Sequence, residues 1–263
     1  MITGELTELE EETTKLVAFI EQTLRPLVGR KIQEIPRQQQ LFLILRNKLK
    51  TNAWLLIGLC ERIKRHEEKY ISLHEKFKTH AIVKKAQEKN PGKNIMLLIR
   101  HKQHTSKIQD GLAKEYAELT QEALLDQHLY FYLVRIQCDV IARFLSIQFP
   151  FWQSLPRSMN DLIKNKILVE KEPSFFQKLT AELTWFQSFK STRDKLKATE
   201  LNLKQRLGPN GPEFLLADGE RLLYEHEFFE FTPEKIVQIE TNIKCISSLY
   251  RFIMNNWAVN LDS

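Results

Sequence analysis

The sequence predicts an all-α protein: a helical bundle with a long protruding antiparallel helical hairpin and one small β-hairpin. Three observations predict it. Eight glycines and nine prolines in 263 residues leave few places to turn, so the helices are long. Leu, Lys, Glu, Gln and Ile are abundant and β-branched runs are scarce, which favours helix over sheet. The stretch Leu124 to Phe149 is apolar nearly all round. Leu129, Leu133, Ile136, Val140, Phe144 and Ile147 mark one helical stripe of it, and Phe131, Val134, Cys138, Ile141 and Leu145 mark another. A helix apolar on several faces is buried on several faces. This one is expected to be the central helix. Its polar exceptions, Arg135, Asp139 and Arg143, lie four residues apart on one line and form a polar seam.

The first helix is expected from about Leu6 to Leu24, ahead of Pro26. Glu5, Glu8, Glu10, Glu11 and Glu12 crowd its start, where the helix dipole favours negative charge. A loop over Val28–Pro36 follows. From about Arg37 to Glu88 the pattern stays helical, as one helix or as two broken near Asn47–Asn52. Its first part is strongly apolar (Phe42, Leu45, Leu49, Trp54, Leu55, Leu59), and its later part thins among charges. Asn90-Pro91-Gly92 marks a reversal. A second long pattern runs from about Ile95 to Phe149, with a candidate interruption at Asp110-Gly111, and ends where Phe149 precedes Pro150.

Phe151–Met159 reads as a loop with a buried aromatic pair, followed by a short helix from Ser158 to Ile167. Pro173 suits the first turn of a helix reaching to about Leu207. Gly208-Pro209-Asn210-Gly211-Pro212 is the strongest breaker in the chain. Glu213–Ala217 and Glu220–Glu225 flank Asp218-Gly219, a hairpin turn signature. Thr232-Pro233-Glu234 starts the last helix, which runs to about Trp257 with a stripe of Ile236, Ile239, Ile243, Ile246, Leu249, Ile253 and Trp257. The expected division is 1–113, N-terminal helices and basic hairpin, and 114–263, bundle, packed as one unit.

The formal net charge is +6, which permits contact with polyanions without demanding it. It is unevenly placed. Between Lys76 and Lys107 nine basic residues face one acid, Glu88, so this segment carries more than the whole excess. Lys84, Lys85, Lys89, Lys93, Arg100 and Lys102 are the candidate nucleic-acid contacts of this tip, read against the alternative of a solvated hairpin end. Cys60, Cys138 and Cys245 are an odd set in apolar contexts with no metal-ligand spacing, as in a reducing, cytoplasmic protein. The acidic start MITGELTELEEE gives no signal peptide, and no apolar run is long enough to span a bilayer. No phosphate-binding, zinc-hydrolase or serine-hydrolase motif occurs. His101 and His104 lack a third ligand close in sequence, so no metal and no cofactor are expected.

A helix carrying RIQCDVIARFL, a loop SLPRSMNDL and a following helix with Arg193-Asp194 occur in that order. In this order of features the last 150 or so residues resemble the HEPN (higher eukaryotes and prokaryotes nucleotide-binding) superfamily, helical bundles of prokaryotic toxin–antitoxin and antiviral systems. Active members cleave RNA with Arg-x4–6-His, a polar residue following the Arg. The resemblance implies Arg193 and Asp194 as the first two positions. The His would fall at 198 to 200, which are Ala198, Thr199 and Glu200. The sequence departs from the family there, which puts the nuclease chemistry in doubt. One literal match, Arg221-x4-His226, lies in the expected hairpin, and about one such match arises by chance.

The expectation is therefore a non-enzymatic binding or regulatory protein that contacts RNA or a partner protein. The alternatives are a metal-independent HEPN-type ribonuclease, active as a homodimer pairing its Arg193 helices, and a purely structural interaction module.

Overall fold

In the computed structural model the described residues are 3–24, 36–88, 95–149, 151–152, 154–197, 201–208, 211–218 and 239–257. The chain enters as helix α1, Thr3–Phe19, and its last turn widens into a π-helical turn over Ile20–Leu24. Two very long helices follow: α2, Pro36–Glu88, of 53 residues, and α3, Ile95–Ser146, of 52. Neither candidate interruption occurs. Leu45, Leu49, Ala53 and Leu56 carry a buried stripe straight through Asn47–Asn52, while Asn47, Lys48 and Thr51 face solvent. Asp110-Gly111 sits inside α3. A helical glycine costs about 1 kcal/mol relative to alanine, too little to break a helix of this length.

The short helix expected from Ser158 is two: α4, Met159–Ile163, and α5, Lys166–Lys171. Each has its own cap. Ser158 Oγ accepts from Asp161 N–H at 3.1 Å, and Asn165 Oδ1 accepts from Ile167 N–H at 2.9 Å. The helix expected from Pro173 does start there, as α6, Pro173–Glu182, but α7, Phe186–Lys197, is separate. Leu183 N–H bonds back to both Leu179 and Thr180 carbonyls and closes α6. Leu179, Leu183, Phe186 and Phe189 are all buried, so the apolar period passes through the break unchanged.

The segment 201–207, expected as helix, is strand instead. β1, Leu201–Gly208, pairs with β2, Gly211–Asp218, in a two-stranded sheet. Leu201, Leu203 and Leu207 alternate as a strand requires. The expected arm Glu213–Ala217 lies within β2, and the other arm, Glu220–Glu225, lies outside the described residues, as do the loop over 28–35 and the helix start at Thr232. The last helix, α8, is Ile239–Asn256, and its stripe from Ile239 to Trp257 is buried throughout. Apart from β1 and β2 the described elements are helices, the all-α class expected.

The chain divides into two compact units, neither of them one continuous stretch: 1–61 with 129–201 and 238–263, and 62–128 with 202–237. The expected boundary at 113/114 falls within α3.

In the first unit α1 packs along α8. Lys244 reaches Glu5 at 3.1 Å and Arg251 reaches Glu8 at 2.7 Å. The α3 portion of this unit is the central helix expected. Phe131, Val134, Cys138, Ile141 and Leu145 are all buried. The other stripe is graded: Val140 and Phe144 are buried, Leu133, Ile136 and Ile147 half-buried, and Leu129 exposed. Phe144 meets Phe42 of α2 at 5.6 Å and Trp257 at 4.6 Å between ring centroids. Phe131 stacks on Phe189 of α7. Buried Gln137 donates to Leu49 O at 3.2 Å and to Tyr250 Oη at 2.8 Å, tying α3 to α2 and α8 through one amide. The pair Phe151–Trp152 is half-buried rather than buried, with ring centroids 5.0 Å apart.

In the second unit α2 and α3 run antiparallel. Arg62 pairs with Asp126, Tyr70 Oη donates to Thr120 Oγ1 at 2.8 Å, and the Tyr70 ring meets Tyr116 edge-on at 5.3 Å. Numbers rise on one helix as they fall on the other. Tyr70, Leu73, Leu112, Leu119 and Ala123 form the buried seam between them.

Candidate functional site

The basic residues sit on the far portions of the two long helices. Lys84 and Lys85 lie in α2, and Arg100 and Lys102 in α3. Lys89 and Lys93 lie outside the described residues. The helical backbone on either side of 89–94 therefore carries four of the six candidate contacts.

The second candidate is the polar seam. Arg135 and Asp139 sit one turn apart on α3, and Arg135 Nε meets Asp139 Oδ2 at 3.2 Å. Arg135 also lies over the Phe186 ring, 5.1 Å from its centroid, where the ring quadrupole attracts a cation. Asp139 Oδ1 accepts from Met159 N–H at 2.9 Å and so fixes the start of α4. Burial pushes the Asp139 carboxyl up from its ordinary range, and the Met159 hydrogen bond, Arg135 and Arg193 only partly offset this. Arg193 is thus close enough for its field to act on Asp139. Its own Nη1 is bonded to Asp194 Oδ1 at 2.8 Å, and Lys190 Nζ reaches Asp194 Oδ2 at 2.9 Å. Burial works against ionising Asp194, but the Lys190 and Arg193 hydrogen bonds hold its carboxyl below the usual carboxylate range.

Arg143, the third member of the seam, stands apart from this set, its Nε buried without a hydrogen-bond partner. Ala198, Thr199 and Glu200, where the cleavage motif would place its His, lie outside the described residues. What the seam does chemically is hold charges in place. Each of its two carboxylates is engaged by cations or by a backbone N–H. That arrangement stabilises a junction of α3, α4 and α7.

A third cluster was not anticipated from the sequence. Asp126, buried in α3, accepts from Arg62 Nε at 2.6 Å and Nη2 at 2.5 Å, a bidentate pair. His66, also buried, has Nδ1 3.6 Å from Asp126 Oδ2 and Nε2 3.5 Å from Glu122 Oε2. Burial lowers the His66 pKa despite the two carboxylates. The signal was present: Arg62 and His66 are four apart on one helix, and Glu122 and Asp126 are four apart on the other. Reading it requires the register of the helix pair.

Other chemistry finds little support. Cys60 and Cys138 are buried, and burial pushes the Cys60 thiol up to about 12 and the Cys138 thiol well above its ordinary value. Neither is a thiolate nucleophile at neutral pH. Among the described residues no three His, Cys, Asp or Glu side chains group as a metal ion requires, and no helix is long and apolar enough to cross a membrane. No family model, no curated protein and no solved structure matches this chain.

Proposed function

We propose that the chain is a non-catalytic binding protein, built on a HEPN-like bundle of the prokaryotic toxin–antitoxin or antiviral kind, that grips RNA with a protruding basic hairpin. One observation carries this reading. Nine basic residues against a single acid fall between Lys76 and Lys107; of the candidate contacts among them, Lys84 and Lys85 lie in α2 and Arg100 and Lys102 in α3. The antiparallel register of Arg62 with Asp126 and Tyr70 with Thr120, continued outward, sets the α2 backbone at Lys84 and Lys85 level with α3 residues 103–106, with Arg100 and Lys102 farther along toward the tip. At 1.5 Å per residue the arm reaches about 20 Å beyond Leu73.

The seam supports the non-catalytic part. Arg193 is spent on Asp194 and on the field around Asp139, and none of the three positions its motif requires is a histidine.

The test is fluorescence anisotropy with a labelled single-stranded RNA at several salt concentrations. The wild type should lose affinity steeply with salt. Replacing Lys84, Lys85, Lys89 and Lys93 by Gln should make the slope of log K on log salt shallower by about 3, from roughly 0.7 per phosphate contact. An unchanged slope in a variant of unchanged helicity would remove the prong from the binding surface.

A further inference from the structure

The seam that joins α2 to α3 changes character along its length. In the second unit Ile63, His66, Tyr70 and Leu73 of α2 are buried, as are Leu112, Leu119, Ala123 and Asp126 of α3, with Tyr116 half-buried among them. On both helices these positions step alternately by three and by four, the period of a coiled-coil seam. The two polar members of this inner stretch, His66 and Asp126, answer one another at 3.6 Å, and Arg62 completes the set.

The same period carried outward falls on positions 77, 80, 84 and 87 of α2 and on 109, 105, 102 and 98 of α3. They are Phe77, His80, Lys84 and Gln87, and Gln109, Thr105, Lys102 and Leu98. The register of Arg62 with Asp126 and of Tyr70 with Thr120 sets position 80 level with 109, 84 with 105 and 87 with 102. Three successive layers therefore have no apolar residue at a seam position.

Two of those positions carry charge of one sign. A single lysine at a seam position already costs a coiled coil stability. Here Lys84 and Lys102 stand on opposite helices in adjoining layers, about 4.5 Å apart along the axis, with the axes roughly 8–10 Å apart. Between positions 77 and 109 the one acid is Glu88. It follows Lys84 by four residues and can offset one of the two charges. The outer seam stays positive, and a sheltered charge persists where an opposite charge meets it.

We infer that the outer seam is the anion site of the hairpin: Lys84 and Lys102 take a backbone phosphate of the RNA between α2 and α3. Lys85 and Arg100 occupy register positions away from the seam and contribute as ordinary surface charges. The inference rests on the RNA-binding reading above and states which of its charges bind most strongly. Contacts sheltered between two helices are screened less by salt than exposed ones.

The test removes two charges in each of two ways and measures the same labelled single-stranded RNA by anisotropy. Lys85→Gln with Arg100→Gln should weaken binding about tenfold or less, as for exposed pairs. Lys84→Gln with Lys102→Gln should weaken it at least about a hundredfold, as for charge-assisted hydrogen bonds. Equal losses in variants of native helicity would overturn the inference and leave RNA binding standing, whereas a wild type that binds no RNA would overturn the reading beneath it. Lys84→Leu with Lys102→Leu tests the register without any ligand. Apolar residues at seam positions should raise the urea midpoint of the free protein, and a midpoint no higher than that of the wild type would overturn the inference as well.

Discussion

Trp257→Ala is expected to destabilise the first unit by about 3–5 kcal/mol, the largest effect of any single replacement considered. Trp257 is 1% exposed and directly follows α8. Its ring lies 4.6 Å from that of Phe144, which in turn lies 5.6 Å from Phe42. The three rings join the end of α8, the central helix and the start of α2. Removing the indole leaves a cavity against the Phe144 ring. Urea unfolding followed by circular dichroism should show a lower midpoint with an unchanged slope. Trp54→Ala is the control: same residue type, exposed side chain, and a change within about 0.5 kcal/mol. Equal losses at the two sites would mean that burial has been assigned to the wrong tryptophan.

Arg62→Met should cost about 2–3 kcal/mol. The replacement keeps an apolar stem but removes both hydrogen bonds to Asp126, a carboxylate whose side chain is only 4% exposed. The nearest remaining cation candidate is His66, whose charged form burial disfavours. Arg62 itself is half exposed, so the loss falls below that of a fully buried pair. Asp126→Leu added to Arg62→Met should recover most of the loss, because the penalty lies in the stranded charge rather than in the missing bridge. A double mutant no more stable than Arg62→Met would contradict this, read from the same urea midpoints.

The helical class was legible because periodicity is local. The stripe from Ile239 to Trp257 and that of Phe131, Val134, Cys138, Ile141 and Leu145 are both buried throughout. The start of α6 at Pro173 was equally plain. What failed was any inference in which one period satisfied two structures. Leu179, Leu183, Phe186 and Phe189 fit one continuous helix as well as the broken pair that forms. Leu201, Leu203 and Leu207 alternate as a strand, yet they continue a helical run. Trp54 and Leu55 stand in the strongly apolar first part of α2 and are exposed, because hydrophobicity names the residues that could be buried, not those that are.

The candidate site was legible to the same degree. The Arg135–Asp139 pair is an i,i+4 contact and was visible in the spacing. The proximity of Arg193 to Asp139 and the Arg62–Asp126–His66 cluster depend on which helices meet. No local pattern encodes that.

The most direct test of a binding protein without chemistry is to follow one labelled RNA in one sample through binding and recovery. At low salt, without added metal, the RNA should shift fully on a native gel. It should then return at full length on a denaturing gel, with Arg193→Ala behaving as wild type. Cleavage products that disappear in Arg193→Ala would contradict the non-catalytic reading, and the absence of any shift would contradict RNA as the ligand.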